Sequence, residues 1–210
     1  MKATTKRKIR KIISPFKRIG LKNKNFTIIS NNCWGGIVYD ILGMKYNSPT
    51  IGCFFMADDY ISFISNIKKY LDLTLEQVKK NESKHFDYIK DILPNDTIIG
   101  KLGDIEIFFL HYNSFSDAKL KFERRSKRIN YDNILIKFSD QNQFKMDNFY
   151  SFEKLNYKNK IFITTNKKYK SDSVNIVVVN DDWNVGYAKD DIKPSLKKIN
   201  INKILNNLDK

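Results

Sequence analysis

An α/β fold, with an open and mostly parallel sheet flanked by helices and an antiparallel hairpin section, follows from three features of this 210-residue chain. Short, nearly continuous apolar runs such as Phe26-Thr27-Ile28-Ile29-Ser30 have the length and composition of buried strands. They alternate with stretches whose apolar residues recur at helical spacing, the order that builds a parallel core. One region, "TIIGKLGDIEIFFLHY", reads instead as two strands joined by a tight turn and paired antiparallel. Hydrophobic residues make up 41% and aromatics 13%, enough to form a core rather than a disordered chain.

Residues 26–30 are the first predicted strand. After it, Ile37, Val38, Ile41, Leu42 and Met44 follow helical spacing, and Gly43 stands where such a helix would end. "PTIGCFF" is a second strand, and Asp58 is the expected N-cap of an amphipathic helix from Tyr60 to Leu71, with Ile61, Ile64 and Ile67 on its apolar face. Thr74 to Lys80 reads as a short helix, and Asp87 to Ile92 is ambiguous by periodicity. Pro94-Asn95-Asp96 makes a turn before the hairpin, whose own turn lies at Lys101 to Asp104. Ser114 or Ser116 caps the charged helix "DAKLKFERRSKRI". "NILIKFS", "KIFITT" and "VNIVVVN" are three further strands, and Pro194 to Lys210 is a closing helix. No repeat or Gly/Ser linker divides residues 25–210, so they are read as one α/β domain. A boundary between two small subdomains, with a cleft between them, would fall near residue 94.

The formal charge of +15 is concentrated at one end: residues 1–24 hold ten Lys or Arg and no acid, leaving +5 for the rest. Ile9, Ile12, Ile13, Phe16 and Ile19 recur at helical spacing between those bases, interrupted by Pro15. A solvated basic arm and a helix lying on an anionic membrane surface both fit this pattern. Nucleic acid is an unfavoured partner, because no aromatic residues interleave with the bases on a recognisable binding platform. Cys33 and Cys53 have no CxxC spacing, which argues against a disulfide framework or zinc cage and for a reducing compartment. With no apolar span and no signal-peptide pattern, the expected location is cytoplasmic, peripheral at the inner face of the membrane if the leader binds there.

The residues Asn31-Asn32-Cys33-Trp34-Gly35-Gly36 carry more chemistry than a connection requires. In an open α/β sheet ligands sit at the carboxyl ends of strands, where this segment falls. Gly35 and Gly36 would let backbone approach a ligand, with Asn31, Asn32 and Trp34 as contacts, though neither a GxGxxG nor a Walker A pattern is present. Cys33 could act as a nucleophile, and His111, at the end of "IEIFFLHY", is the base that could meet it across the crevice. Asp58 and Asp59 form a carboxylate pair that could orient sugar hydroxyls or hold a divalent cation; helix capping is the plainer role for one of them. The pair Asp181-Asp182 before Trp183 is less specific. Arg124 and Arg128, one helical turn apart, could grip a phosphate, while Arg125 points elsewhere. No metal-ligand set and no cofactor is designated.

The motifs "NNCWGG", "SPT" and "FLHY", with the "ERR" helix in which Phe122 replaces a Trp, resemble those of the bacterial DUF1919 family over about residues 26–165. Its members are often labelled exopolysaccharide or capsule biosynthesis proteins. The resemblance implies an α/β fold with a cleft and a surface-glycan context, but it supplies no reaction and no catalytic residue. Together these readings point to a transferase that moves an acyl or glycosyl group from a sugar-nucleotide or acyl donor onto a hydroxyl of a glycan acceptor. His111 would be the base and Cys33 a nucleophile or pocket wall, with Asp58 or Asp59 orienting sugar or metal and Arg124 and Arg128 holding donor phosphate. The alternative is a non-catalytic glycan-binding or assembly protein, with Trp34 stacking on a sugar.

Overall fold

Two four-stranded sheets, packed around a shared aromatic core, organise the chain. The computed structural model describes residues 13–179 and 191–208. In chain order the strands are β1 (Thr27–Ser30), β2 (Cys53–Phe54), β3 (Glu76–Val78), β4 (Ile98–Leu102), β5 (Ile105–Phe109), β6 (Ile134–Ser139), β7 (Lys160–Thr164) and β8 (Asn175–Val178). The helices are α1 (Trp34–Leu42), α2 (Ala57–Ser65), α3 (Ile67–Leu71), α4 (Phe86–Ile89), α5 (Phe115–Ser126), α6 (Met146–Lys154), α7 (Ile192–Lys198) and α8 (Ile201–Leu205). One sheet has the order β1-β6-β7-β8 and is wholly parallel; the other has the order β2-β5-β4-β3 and is wholly antiparallel.

Period-two alternation sorts the strand residues into separate cores. In the parallel sheet Ile28, Leu135, Ile161 and Ile163 face α1 and the closing helices, whereas Ile29, Ile136, Phe138 and Phe162 face the opposite way. On that second side they meet Cys53, Phe55, Ile107 and Phe109 from the antiparallel sheet. Phe54, Met56, Ile99 and Phe108 cover the antiparallel sheet's far face with Ile89 and Leu93. Polar bonds reinforce the junction: the buried Tyr60 hydroxyl lies 3.0 Å from Ile29 O and 2.8 Å from Lys137 O, and Phe55 N–H donates to Asn31 O at 3.0 Å.

Several local expectations change in the structure. The strand after α1 does not join β1; it pairs antiparallel with β5, so the run that periodicity placed in a parallel core starts the second sheet. Residues 53–109 are thus an antiparallel insertion between β1 and β6, and Pro94 lies in the connection between β3 and β4. Asp58 does not cap a helix: it sits in the first turn of α2, whose N-cap is Met56. The helix expected from Tyr60 to Leu71 breaks at Asn66, whose side chain caps α3 by accepting from Lys69 N–H. Thr74 to Lys80 yields β3, because the exposed edge of β4 offers it a ladder that outweighs weak local helical preference. The helix α6 has no counterpart in the sequence reading, and the closing helix is two, with Asn200 capping the second.

Residues 17–23 of the basic leader pack against the closing helices. Asn202 Nδ2 donates to Lys17 O and Ile19 O at 3.0 and 3.1 Å, Asn206 Oδ1 accepts from Lys22 N–H at 2.7 Å, and Leu21 is buried. Ile9, Ile12, Asp181, Asp182 and Trp183 lie outside the described residues. Among the described residues no helix is long and apolar enough to cross a membrane.

Candidate functional site

The segment after β1 is held by its own side chains. Ser30 Oγ donates to Asn32 O and accepts from Gly35 N–H at 3.1 Å, while Asn32 Oδ1 accepts from Trp34 N–H at 3.1 Å. Two of the first amides of α1 are therefore taken by the protein. A Cβ at Gly35 would stand 2.9 Å from Ser30 Oγ and 3.1 Å from Ile28 Cγ2, and one at Gly36 would stand 3.3 Å from Ile51 Cγ2. The glycines thus let α1 lie close on β1 and on the Ile51-Gly52 turn. Trp34 is fully buried and donates through Nε1 to Ser195 Oγ at 3.0 Å, so it presents no face to a sugar.

Asn31 and Asn32 belong to a buried polar cluster at the carboxyl end of the parallel sheet. At its centre is Lys137, paired in register with Ser30 and fully buried. Its Nζ donates to Asn31 Oδ1 at 3.2 Å, Asn32 Oδ1 at 3.1 Å, Ser139 Oγ at 3.1 Å, and the buried Asp191 carboxylate. Burial pulls the Lys137 ammonium below the ordinary lysine range, against the opposing pull of Asp191. A lysine inside the apolar run "NILIKFS" is the sequence signal for this cluster.

Cys33 and His111 line one cleft of about 490 Å³. Cys33 is half-buried at the start of α1, and His111 is exposed just beyond β5. Gly52 separates the two elements with φ +72°, and a Cβ there would meet His111 Cβ and Tyr112 Cε2 at 3.3 Å. Arg125 forms part of the wall: buried on α5, it donates from Nη1 to the Tyr112 hydroxyl at 2.6 Å and lies 5.0 Å from the centre of the Tyr46 ring. Tyr112 passes the interaction on to Ile51 O, and Tyr46 donates to Asp40 Oδ1 at 2.5 Å. Lys121, bonded to Asp117 at 2.7 Å, lines the cleft from the same helix as Arg125. Burial raises the Tyr112 phenol far above its usual value, with Cys53 adding to the effect and Arg125 opposing it, so this hydroxyl stays protonated at neutral pH. Burial likewise raises the Cys53 thiol, which lies in the core.

Arg124 and Arg128 line not this cleft but an adjoining recess of about 300 Å³ with Lys45, and the two hollows share Asp40, Tyr46 and Arg125. Arg128 Nη1 donates to Tyr46 O at 3.1 Å. Sequence reasoning took Arg125 to point elsewhere; its signal was its place on the face of α5 that also buries Ala118 and Phe122.

Asp58 and Asp59 stand at the opposite end of the antiparallel sheet from His111. Antiparallel pairing sets Phe54 opposite Phe108, so the chain beyond β2 runs back toward the start of β5, where Asp59 Oδ2 accepts from Glu106 N–H at 3.0 Å. Asp59 is buried against Lys84 and lies 2.8 Å from His85 Nε2. Asp58 turns outward, accepting from Asn148 Nδ2 at 2.6 Å and Lys145 Nζ at 3.0 Å. Partial burial would raise the Asp58 carboxyl, but the Asn148 and then the Lys145 hydrogen bonds outweigh it and hold the group below the ordinary range. The two carboxylates diverge and do not converge on one cation. The Asp59–His85 pairing was also not read from sequence, since residues 26 apart carry no local signal.

The model of a domain of unknown function, DUF1919, matches residues 4–204. An uncharacterized protein of Haemophilus influenzae (strain ATCC 51907 / DSM 11121 / KW20 / Rd) is 32% identical over 149 residues, 71% of this chain. The match covers 66% of that relative's length.

Proposed function

The chain belongs to the DUF1919 family, and we propose that it is an acyltransferase that modifies a hydroxyl of a surface-polysaccharide precursor. The single observation that carries this reading is that Cys33 and His111 line one cleft whose wall holds Arg125 and Lys121. A thiol and an imidazole suit acyl transfer. Glycosyl transfer with the Asp58-Asp59 pair as sugar or metal ligands is disfavoured, because those carboxylates lie at the other end of the antiparallel sheet. A glycan-binding role loses its stacking surface with the burial of Trp34.

The donor that fits is an acyl thioester on a phosphorylated carrier, its anionic part held by the cationic wall. His111 takes the Cys33 proton as Sγ attacks the acyl carbonyl, and the donor's sulfur leaves with that proton. The acceptor hydroxyl then attacks the Cys33 thioester, its proton passes to His111, and the departing Sγ recovers it. The surface-glycan setting suggests that this hydroxyl belongs to a sugar.

Intact-mass spectrometry of the protein with acyl-coenzyme A tests the first half. Wild type acquires one acyl mass, Cys33→Ala acquires none, and His111→Ala acylates about 10²–10⁴-fold more slowly. Acylation of His111→Ala at the wild-type rate would remove the imidazole from the mechanism.

A further inference from the structure

We propose that the face formed by residues 13–19 and the adjoining basic recess docks on an anionic lipid bilayer, with a lipid phosphate seated among Lys45, Arg124 and Arg128. Residues 13–17 are helical, and Ser14 is buried at the wall of the recess beside Gly43. Gly43 ends α1 at φ +59°, and a Cβ there would collide with the Ser14 side chain, so this close approach fixes the leader helix at the rim. With Ser14 turned inward, the segment exposes Ile13 (38%), Phe16 (71%) and Ile19 (73%). Among the other exposed large apolar side chains of the described residues only Met146 and Tyr150 fall close together in the chain, as a pair, whereas here three fall within seven positions beside a run of bases.

Charge identifies the occupant. Lys17, Arg18 and Lys22 sit among the exposed apolar residues, and the sequence before residue 13 adds six more bases and no acid. Lys45 and Arg124 are exposed at the recess, and Arg128 is half-buried. A second copy of a chain carrying +15 would be repelled from this face. A nucleic acid would match the bases but leave Phe16 and Ile19 against phosphate and water. An anionic bilayer satisfies both halves, since its phosphates meet the cations while its acyl region takes the apolar side chains. The inference is independent of the acyl-transfer chemistry and can fail without it.

Co-sedimentation of the full chain with vesicles tests it. Vesicles of phosphatidylcholine containing about 30% phosphatidylglycerol should bind it about tenfold or more tightly than phosphatidylcholine alone, and added salt should weaken the binding. Phe16→Ser/Ile19→Ser, both at exposed positions, should lower anionic-vesicle binding about tenfold with an unchanged melting temperature. Arg124→Gln/Arg128→Gln should lower it too and flatten its salt dependence. Equal partition into neutral vesicles, or anionic binding that survives Phe16→Ser/Ile19→Ser intact, would overturn the proposal. Retention of duplex DNA that phosphatidylglycerol vesicles fail to displace would also overturn it, assigning the bases to nucleic acid.

Discussion

Lys137 shows how far a single residue departs from the pattern around it. Every neighbour in β6 is chosen for burial, yet this position holds an ammonium with four hydrogen-bond acceptors, one of them a carboxylate. Burying the pair costs desolvation of both ions, so its net worth is small, but breaking it leaves one buried charge unmatched. Lys137→Met should therefore destabilise the fold by about 3–5 kcal/mol in urea denaturation, chiefly through the stranded Asp191. Lys137→Met/Asp191→Leu should recover much of that loss. Equal loss in both variants would mean that Asn31, Asn32 and Ser139, rather than the ion pair, set the stability of this strand end. The contrast with Arg125 is instructive: that cation is also buried, but its partners are a phenol, a carbonyl and two ring faces, with no carboxylate among those contacts.

At the level of elements, the cleft exists because two glycines permit close approach. Gly36 lets α1 rest on Ile51, and Gly52 lets the chain turn under His111 and Tyr112. A side chain at Gly52 would be strained by its φ of +72° and would press on His111 Cβ at 3.3 Å. Gly52→Ala is expected to cost about 1–2 kcal/mol in stability and to slow acylation of Cys33 by about tenfold or more, because a displacement of the base is felt steeply in proton transfer. Gly103→Ala is the control: its φ is +61°, it lies in the β4–β5 turn, and its Cβ would meet Leu73 Cδ1 at 3.0 Å. It should cost comparable stability and leave the acylation rate unchanged. Parallel loss of rate in both variants would tie activity to general stability instead of to the position of His111.

Across the whole molecule, the sequence was most legible where a local rule and the tertiary structure agree. Gly43 ends α1 in the left-handed conformation, Ser114 caps α5 by accepting from Asp117 N–H, and the hairpin turns at Gly103 as its composition indicates. The parallel order of β6, β7 and β8 also follows from apolar runs that are buried on both faces. Less was legible where partner choice decides. β2 has the composition of a parallel strand, and only pairing with β5 reveals its direction; that one reversal removes Asp58 and Asp59 from the cleft. In "NNCWGG" most of the surplus chemistry serves packing: Trp34 bonds Ser195 on α7, Asn31 bonds Ser139 at the end of β6, Gly35 lets α1 lie close on β1, and Cys33 reaches the cleft. Arg125 was missed because helical spacing separates faces without saying which one is buried against tyrosines.

The joint action of Cys33 and His111 is tested most directly by the rate of Cys33 alkylation with iodoacetamide as a function of pH, in wild type and in His111→Ala. The raised Cys53 thiol sits in the core, so alkylation reports on Cys33. A thiol activated by an imidazole across one cleft should be alkylated faster in wild type than in His111→Ala, so that the two profiles differ. Superimposable profiles for the two proteins, or a Cys33 that iodoacetamide does not modify in the folded state, would contradict it.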